Sequence, residues 1–546
     1  MKCRLASLVT LACATAFAAE QPNIILVVAD DQHRDQANWL PEGQGKNLTP
    51  HMDQLAGEGI VLSEFYSPSP VCVPSRFATL TGNYPSRATN QWMQDLYKMH
   101  GHTFVHQEPN IIPETATVAK DLKALGYATG AVGKNHVIEA PDYVKVDARE
   151  SLSDPAVLQR LQDNQDAVRE AYQDAGFDFA ERLYHTNPRV IGPPEIQVHN
   201  LEWVNEAALE FIEQNQDRPF FLYYAITSPH APFDGYKSDP KATPVGILDE
   251  VPPGLPPRET IAERLDEAGL EENRGDMLWI DDCVGSLLDK LEATGQLENT
   301  IIVYFSDHGV ESGKTTCYQG GMRTFGFVWG EPISGQRFET ARSSLVDLAP
   351  TFVDLAGGSP EADRFDGISL KENWTEAEPL EERVIYGEMG HSRAVIKGKW
   401  KYIALRYSDY HQNIPLEERV AWLEAANDYQ RSNKWKTFEQ NDPNGPFGHS
   451  GFIPDLWDHE RTAFEANPNF FDADQLYDLE NDPLEQNNLA DDPAYAAVLE
   501  EMQAELAAKL VELPGPFAEF KPRTYPEPSM DERIATGREL MKTVFH

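Results

Sequence analysis

Cysteine is scarce in this 546-residue chain: there are five, and Cys3 and Cys13 both fall in the first 13 positions. Loss of an N-terminal leader leaves Cys72, Cys283 and Cys317, too few for a disulfide framework in a protein of this size. Basic residues are scarce as well. Forty-six Lys and Arg face 88 Asp and Glu, a formal net charge of −42, which loss of Lys2 and Arg4 with the leader takes to −44. Phosphate backbones need a basic surface, so the balance argues against a nucleic-acid partner. Such acidity suits a salty habitat. Past the leader no apolar run is long enough for a transmembrane helix. Internal repeats and low-complexity tracts are absent, and without H-E-x-x-H or paired C-x-x-C little in the sequence supports zinc.

What is present begins with that leader. Lys2 and Arg4 precede the apolar run Leu5 to Phe17 and the small residues Ala16, Ala18 and Ala19. This is the pattern of a secretory signal peptide over 1–19, cut after Ala18 or Ala19, and it implies an exported protein, periplasmic or secreted. Cys13 after "VTLA" is a poor lipoprotein cleavage site, and a lipid anchor there is the secondary alternative.

The mature chain has an α/β rhythm. "NIILVVAD" (23–30) is a continuous apolar, β-branched run, as in a buried parallel strand. "GYATGAVGK" (126–134), "RPFFLYYAITSPH" (218–230) and "NTIIVYFSDHG" (299–309) repeat the pattern after helical stretches. One of those helices carries an apolar face of Ile280, Val284, Leu287, Leu288 and Leu291. The fold class expected is α/β, a large mostly parallel sheet sandwiched by helices, over residues 20–384. The Pro-, Gly- and Asp-rich stretch 230–260 reads as a long surface loop. From about 385 to 546 a smaller α+β subdomain built on an antiparallel sheet follows. "RAVIKGKWKYI" (393–403) alternates like an exposed strand with a Gly-Lys turn, and "QLYDLENDP" continues a sheet edge. A helix from Pro493 to about Leu510, capped by Asp491 or Asp492, would bury Val498, Met502, Leu506 and Leu510.

Each main strand ends in ionisable groups: Asp30 and Asp31, Lys134 and His136, His230, Asp307 and His308. The carboxyl ends of parallel strands share one edge, where ligands bind. Singly these residues read as helix caps, loop residues or turns; together at four strand ends they describe one site. "VCVPSRFATLTG" (71–82) adds a thiol at a helix start, with Pro74 in the first turn and Gly82 closing it. Cys72 would then lie at the positive helix end beside Arg76, a setting that lowers a thiol pKa and attracts anions. The aspartates suit Ca2+ ahead of Mg2+. Lys134, Lys314, His136 and His230 suit an oxyanion, and Cys72 or something made from it a nucleophile. Displacement at phosphorus or sulfur is the chemistry implied.

"CVPSRFATLTG" resembles the signature of the type I sulfatases of the alkaline phosphatase superfamily, whose cysteine is converted to formylglycine by a maturation enzyme. "PNIILVVADDQ", "GYATGAVGKNH", "SPHAPF", "FSDHG", "GKTTCYQGGMRTF" and "QLYDLENDPLEQNNLA" are similar to further segments of that family, in order. The resemblance implies a metal held by Asp30, Asp31, Asp307, His308 and position 72. It implies a catalytic set of Cys72, Arg76, Lys134, His136, His230 and Lys314. One hydroxyl of the hydrated aldehyde attacks sulfur; His230 or Lys314 protonates the leaving alcohol. His136 takes a proton from the second hydroxyl, so sulfate leaves and the aldehyde returns. Gln319 stands where many relatives carry an acid, and His308 where some branches carry asparagine. The expected substrate is a sulfated polysaccharide or oligosaccharide. The rivals are a phosphomonoester or phosphonate hydrolase and a catalytically dead glycan-binding protein. Trp400, Arg406, His411 and Trp422 could reach substrate from the C-terminal part, with surface packing the preferred role for each.

Overall fold

The computed structural model describes residues 21–432, 442–451, 458–524 and 526–544; the leader lies outside them. Seven strands come first: β1 (Asn23–Asp30), β2 (Ile60–Tyr66), β3 (Ala128–Lys134), β4 (Phe179–Tyr184), β5 (Phe220–Pro229), and the short pair β6 (Ala242–Thr243) and β7 (Gly246–Ile247). β8 (Thr300–Ser306), β9 (Arg323–Trp329), β10 (Arg337–Glu339) and β11 (Ser343–Ser344) follow. β12 (Ile385–Met389), β13 (Ser392–Lys397), β14 (Trp400–Leu405) and β15 (Asp474–Asp478) form a second sheet in that order.

The large sheet runs β10-β2-β9-β8-β1-β5-β3-β4, with β11 beside β2. From β8 to β4 all neighbours are parallel, and β9 is antiparallel to both β8 and β2. β1 lies between β8 and β5, so both its faces are covered, which is why its run is apolar without alternation. Ile24, Leu26 and Val28 enter one core with the helices Cys72–Thr81, Val118–Ala124 and Leu348–Leu355. Ile25, Val27 and Ala29 enter the other, with the helices Pro50–Glu58, Leu201–Gln214 and Gly275–Ala293. Ile280, Val284, Leu287 and Leu291 are buried there, and Leu288 packs at its margin. The α/β sandwich expected is the fold observed.

The second sheet is antiparallel. β13 and β14 form the expected hairpin about Gly398, which adopts the left-handed conformation a tight turn needs (φ +53°). The strand is not exposed, however. One face packs on Met502, Leu506 and Leu510 of the helix Ala496–Glu512, the other on Tyr66, Cys317, Tyr318 and Met322. Even Lys401 is fully buried, paired with Glu485 at 2.7 Å. Asp492 caps the turn that leads into the helix by accepting from Ala494 N–H. Stretch 230–260 is only partly a surface loop: Tyr236, Ala242 and Thr243 are buried, whereas Phe233 is exposed. The last helix, Met530–Val544, returns to pack on the helix Gln91–His100. No helix among the described residues is long and apolar enough to cross a membrane. Cys72, Cys283 and Cys317 are free and buried.

Candidate active site

The parallel strands β8, β1, β5 and β3 release their last residues along one edge of the sheet. β1 ends at Asp30 and passes into Asp31, and β8 passes into Asp307 and His308. β3 ends at Lys134, two residues before His136, and β5 ends at Pro229, before His230. The helix Cys72–Thr81 brings two more groups, since residues four apart share a helix face. Cys72 Sγ lies 3.5 Å from His308 Nε2. Arg76 Nη2 donates to Asp30 Oδ1 at 3.4 Å and Asp307 Oδ2 at 3.2 Å, and Nη1 donates to the Tyr223 hydroxyl at 3.2 Å. Ser75 Oγ donates to the Asp307 carbonyl and ties the helix to the end of β8.

Lys134 Nζ donates to Asp30 Oδ2. Lys314 Nζ spans both oxygens of Asp31, at 2.7 and 2.6 Å. His230 donates through Nδ1 to the Ala231 carbonyl at 2.9 Å, which leaves Nε2 facing Asp31 Oδ2 at 3.5 Å. His308 likewise donates through Nδ1 to the Gly309 carbonyl, and its Nε2 sits 3.2 Å from Asp31 Oδ1 and 3.7 Å from Asp307 Oδ1. Nine of the ten residues named from sequence are thus linked contact by contact. His136 joins them through its field alone, and its buried Nδ1 has no hydrogen-bond partner among the described residues. Asp31, His136 and Thr315 hold φ of +59°, +61° and +71°. A left-handed conformation in residues with a Cβ costs on the order of 1–3 kcal/mol each and gathers where geometry serves chemistry.

Charge explains the arrangement. Burial raises the Asp30 carboxyl, but Lys134, His230 and Arg76 outweigh it and hold it far below the usual carboxylate range. Asp31 is held down in the same way, chiefly by Lys314 against burial. Burial would lower His308, yet Asp307 and hydrogen bonds to Asp31 and Cys72 lift it to about 10. The Cys72 thiol corrects the sequence reading: its pKa goes up, not down. Burial dominates, and the attraction of Lys134 is offset by Asp30. Arg76 is paired with Asp30 and Asp307, whose charges oppose its own at the thiol.

The donor set fits a hard divalent cation. One donor atom each from Asp30, Cys72 and Asp307 lie within 4.8 Å of one another, and so do those of Asp31, Cys72 and His308. Carboxylate oxygens dominate, as Ca2+ and Mg2+ require.

Three contributors escaped the sequence reading. His199, fully buried, donates through Nε2 to the His230 carbonyl at 2.8 Å and accepts from the Thr227 hydroxyl at Nδ1, also 2.8 Å. Tyr223 braces Arg76 from within β5. His459, exposed at the start of the helix Asp458–Ala466, lies within the electrostatic reach of the site. Surrounding protein and the Lys314 ammonium push it down to about 3, and Asp31, His308 and His230 act on it too. No periodicity marks these residues; only the fold brings them in. Of the C-terminal residues proposed to reach substrate, Arg406 is engaged by Asp474 and Glu519, and Trp400 packs on Tyr495. His411 is buried, not a surface residue, because it stacks within a histidine cluster.

A mostly parallel sheet with three carboxylates, a histidine and a helix-borne cysteine gathered at its carboxyl edge is a setting suited to a hydrolase of charged esters. Residues 22–359 match the sulfatase family, and the chain belongs to it as a sulfuric ester hydrolase. It is 28% identical to the N-acetylgalactosamine-6-sulfatase of Mus musculus, over 71% of this chain and 72% of that protein. It is 26% identical to an ulvan-active sulfatase of Formosa agariphila, over 89% of this chain and 74% of that one. A solved structure from glycosaminoglycan metabolism in Bacteroides thetaiotaomicron shares the fold. Its TM-score is 0.59 at 20% identity, over 90% of this chain and all of that one.

Proposed function

We propose that this chain is an exported sulfatase that removes sulfate from a polysaccharide or oligosaccharide, using formylglycine made from Cys72 and a bound Ca2+. The observation that carries the reading is the closure of three carboxylates, His308 and three fixed cations around position 72. The span of the ulvan-active relative supports a carbohydrate substrate. Residues 20–384 would form the catalytic domain and 385–546 the subdomain against it, after removal of 1–19.

Asp30, Asp31, Asp307 and His308 would hold the cation, which supplies Lewis-acid charge to the sulfate oxygens when bound. A hydrated aldehyde at 72 supplies the nucleophile and needs a maturation enzyme. The remaining chemistry belongs to side chains present in the chain. Lys134 and Lys314, each already matched to an aspartate, neutralise the sulfate oxygens from opposite partners. His230 or Lys314 protonates the leaving alcohol. Ala231 holds the Nδ1 proton of His230 and burial lowers its pKa below the ordinary histidine value, so Nε2, which faces the site, donates only after taking up a proton. Lys314 is locked as an ammonium by Asp31, and its pKa is raised. His136 is kept neutral by burial and by Lys134, and its Nδ1 is open, as a proton acceptor must be. Arg76 orients the helix start through Asp30 and Asp307.

The test is direct. Protein made with a maturation enzyme should show an aldehyde in place of the Cys72 thiol by mass spectrometry. It should release sulfate from algal or animal polysaccharides faster than it turns over phosphate or phosphonate monoesters. Cys72→Ala should fold and lose turnover. An active protein carrying only thiol at 72, or a preference for phosphonates, would overturn the reading.

A further inference from the structure

A second cluster of ligating side chains lies outside the active site. His100 ends the helix Gln91–His100, His391 sits between β12 and β13, and His411 lies in the short helix Asp409–Asn413. One ring nitrogen from each lies within 4.8 Å of the other two. All three residues are at most 7% exposed. We propose that His100, His391 and His411 form a binding site for a borderline transition-metal dication such as Zn2+, separate from the hard-cation site.

Four observations point to a ligand. Both ring nitrogens of His391 are buried without a hydrogen-bond partner among the described residues. An unmade buried hydrogen bond costs about 1–3 kcal/mol, so a phenylalanine would fill this place at lower cost unless something binds there. Ser408 Oγ lies 3.1 Å from His100 Nδ1 and 3.3 Å from His411 Nδ1. A hydrogen bond of that kind at Nδ1 orients an imidazole and leaves Nε2 for a metal. Burial holds all three imidazoles far below the ordinary histidine pKa, so no proton competes for the lone pairs. Finally, His100 and His411 line a cavity of about 550 Å3 beside Trp92 and Trp422, which gives an ion entry and room for a water ligand.

The donors are all imidazole, with no carboxylate among the three. This suits Zn2+, Co2+ or Ni2+ and disfavours Ca2+. Of the cations acting on the three imidazoles, Arg393 pairs with Glu388 at 3.9 Å, Arg533 pairs with Glu527, and Arg419, which acts on His411, lies in the field of Asp442. His102 stacks 6.3 Å from His100, so the tract "HGHTFVH" (100–106) is itself histidine-rich. The sequence lacks a zinc pattern because the three ligands come from segments far apart in the chain. A metal here would clip the helix Gln91–His100 to the second sheet.

The probe is Co2+, added to chelator-stripped whole protein in millimolar Ca2+, which fills the oxygen site. One equivalent should give the visible bands of a four-coordinate, nitrogen-ligated ion, and Zn2+ should displace it and raise Tm. His391→Gln and His411→Gln, checked for folding by circular dichroism, should each weaken binding by about 100-fold or more. Losing even an outer-shell partner can reach that figure. His308→Ala should leave the bands in place. The proposal fails if the wild type shows no such bands, if they survive both Gln variants, or if they vanish in His308→Ala.

Discussion

Replacing His199 with Gln should flatten the acid sensitivity of this fold by a calculable amount. His199 is fully buried, and its hydrogen bonds fix the neutral tautomer: Nε2–H donates to the His230 carbonyl and Nδ1 accepts from Thr227. Burial, reinforced by His230, lowers its pKa from 6.5 to about 3. The folded state therefore refuses a proton that the unfolded chain accepts below 6.5. Stability is fully present above pH 6.5 and is lost as pH falls through the window down to about 3. Between pH 8 and pH 5 the linkage amounts to about 2 kcal/mol for this one group. Gln can keep the amide donor to His230 but does not titrate. Its overall stability should fall at pH 8 through imperfect packing, while its loss between pH 8 and pH 5 should be about 2 kcal/mol smaller than wild type. Urea unfolding of both proteins at the two pH values measures this difference, and other titrating groups cancel in it. If the two proteins lose stability equally, His199 is not held neutral and the assigned tautomer is wrong.

Asp307→Asn should abolish the rise of Tm with Ca2+ and also lower Tm in chelator, because Arg76 stays buried with one carboxylate fewer. Breaking a buried pair costs about 3–5 kcal/mol; calorimetry showing wild-type melting in both conditions would exclude the site. Lys401→Met should destabilise by about 3 kcal/mol by stranding Glu485, and the double variant Lys401→Met/Glu485→Gln should recover part of it. A single-variant loss under about 1 kcal/mol in urea would show the pair to be dispensable. At the net charge of −42, kcat/KM on a sulfated polymer should rise with NaCl, since a Debye length of roughly 4 Å at about 0.5 M removes long-range repulsion. Lys134 and Lys314 act in contact and are screened less; a steady fall on both polymer and small aryl sulfate would refute this.

Much of the site was legible because it obeys local rules. β1, β3, β5 and β8 announce themselves as apolar runs, and each is followed at once by its chemistry, so strand order in sequence sufficed to place Asp30, Lys134, His230 and Asp307 on one edge. Pro74 and Gly82 bounded the helix that carries Cys72 and Arg76. The "RAVIKGKWKYI" hairpin was equally plain, but its burial was not, because alternation shows which faces differ and not what covers them.

Three things belonged to the sequence alone: the α/β class, the acidic balance, and the identity and order of the strand-end residues. They rest on periodicity and composition, which act over neighbours in the chain. The tertiary structure decided the rest. It set the rise of the Cys72 pKa, since burial comes from atoms distant in sequence. It recruited His199, Tyr223 and His459, and it gathered His100, His391 and His411 from three separate segments. Desolvation and charge pairing depend on distances in space, and no spacing along the chain encodes them.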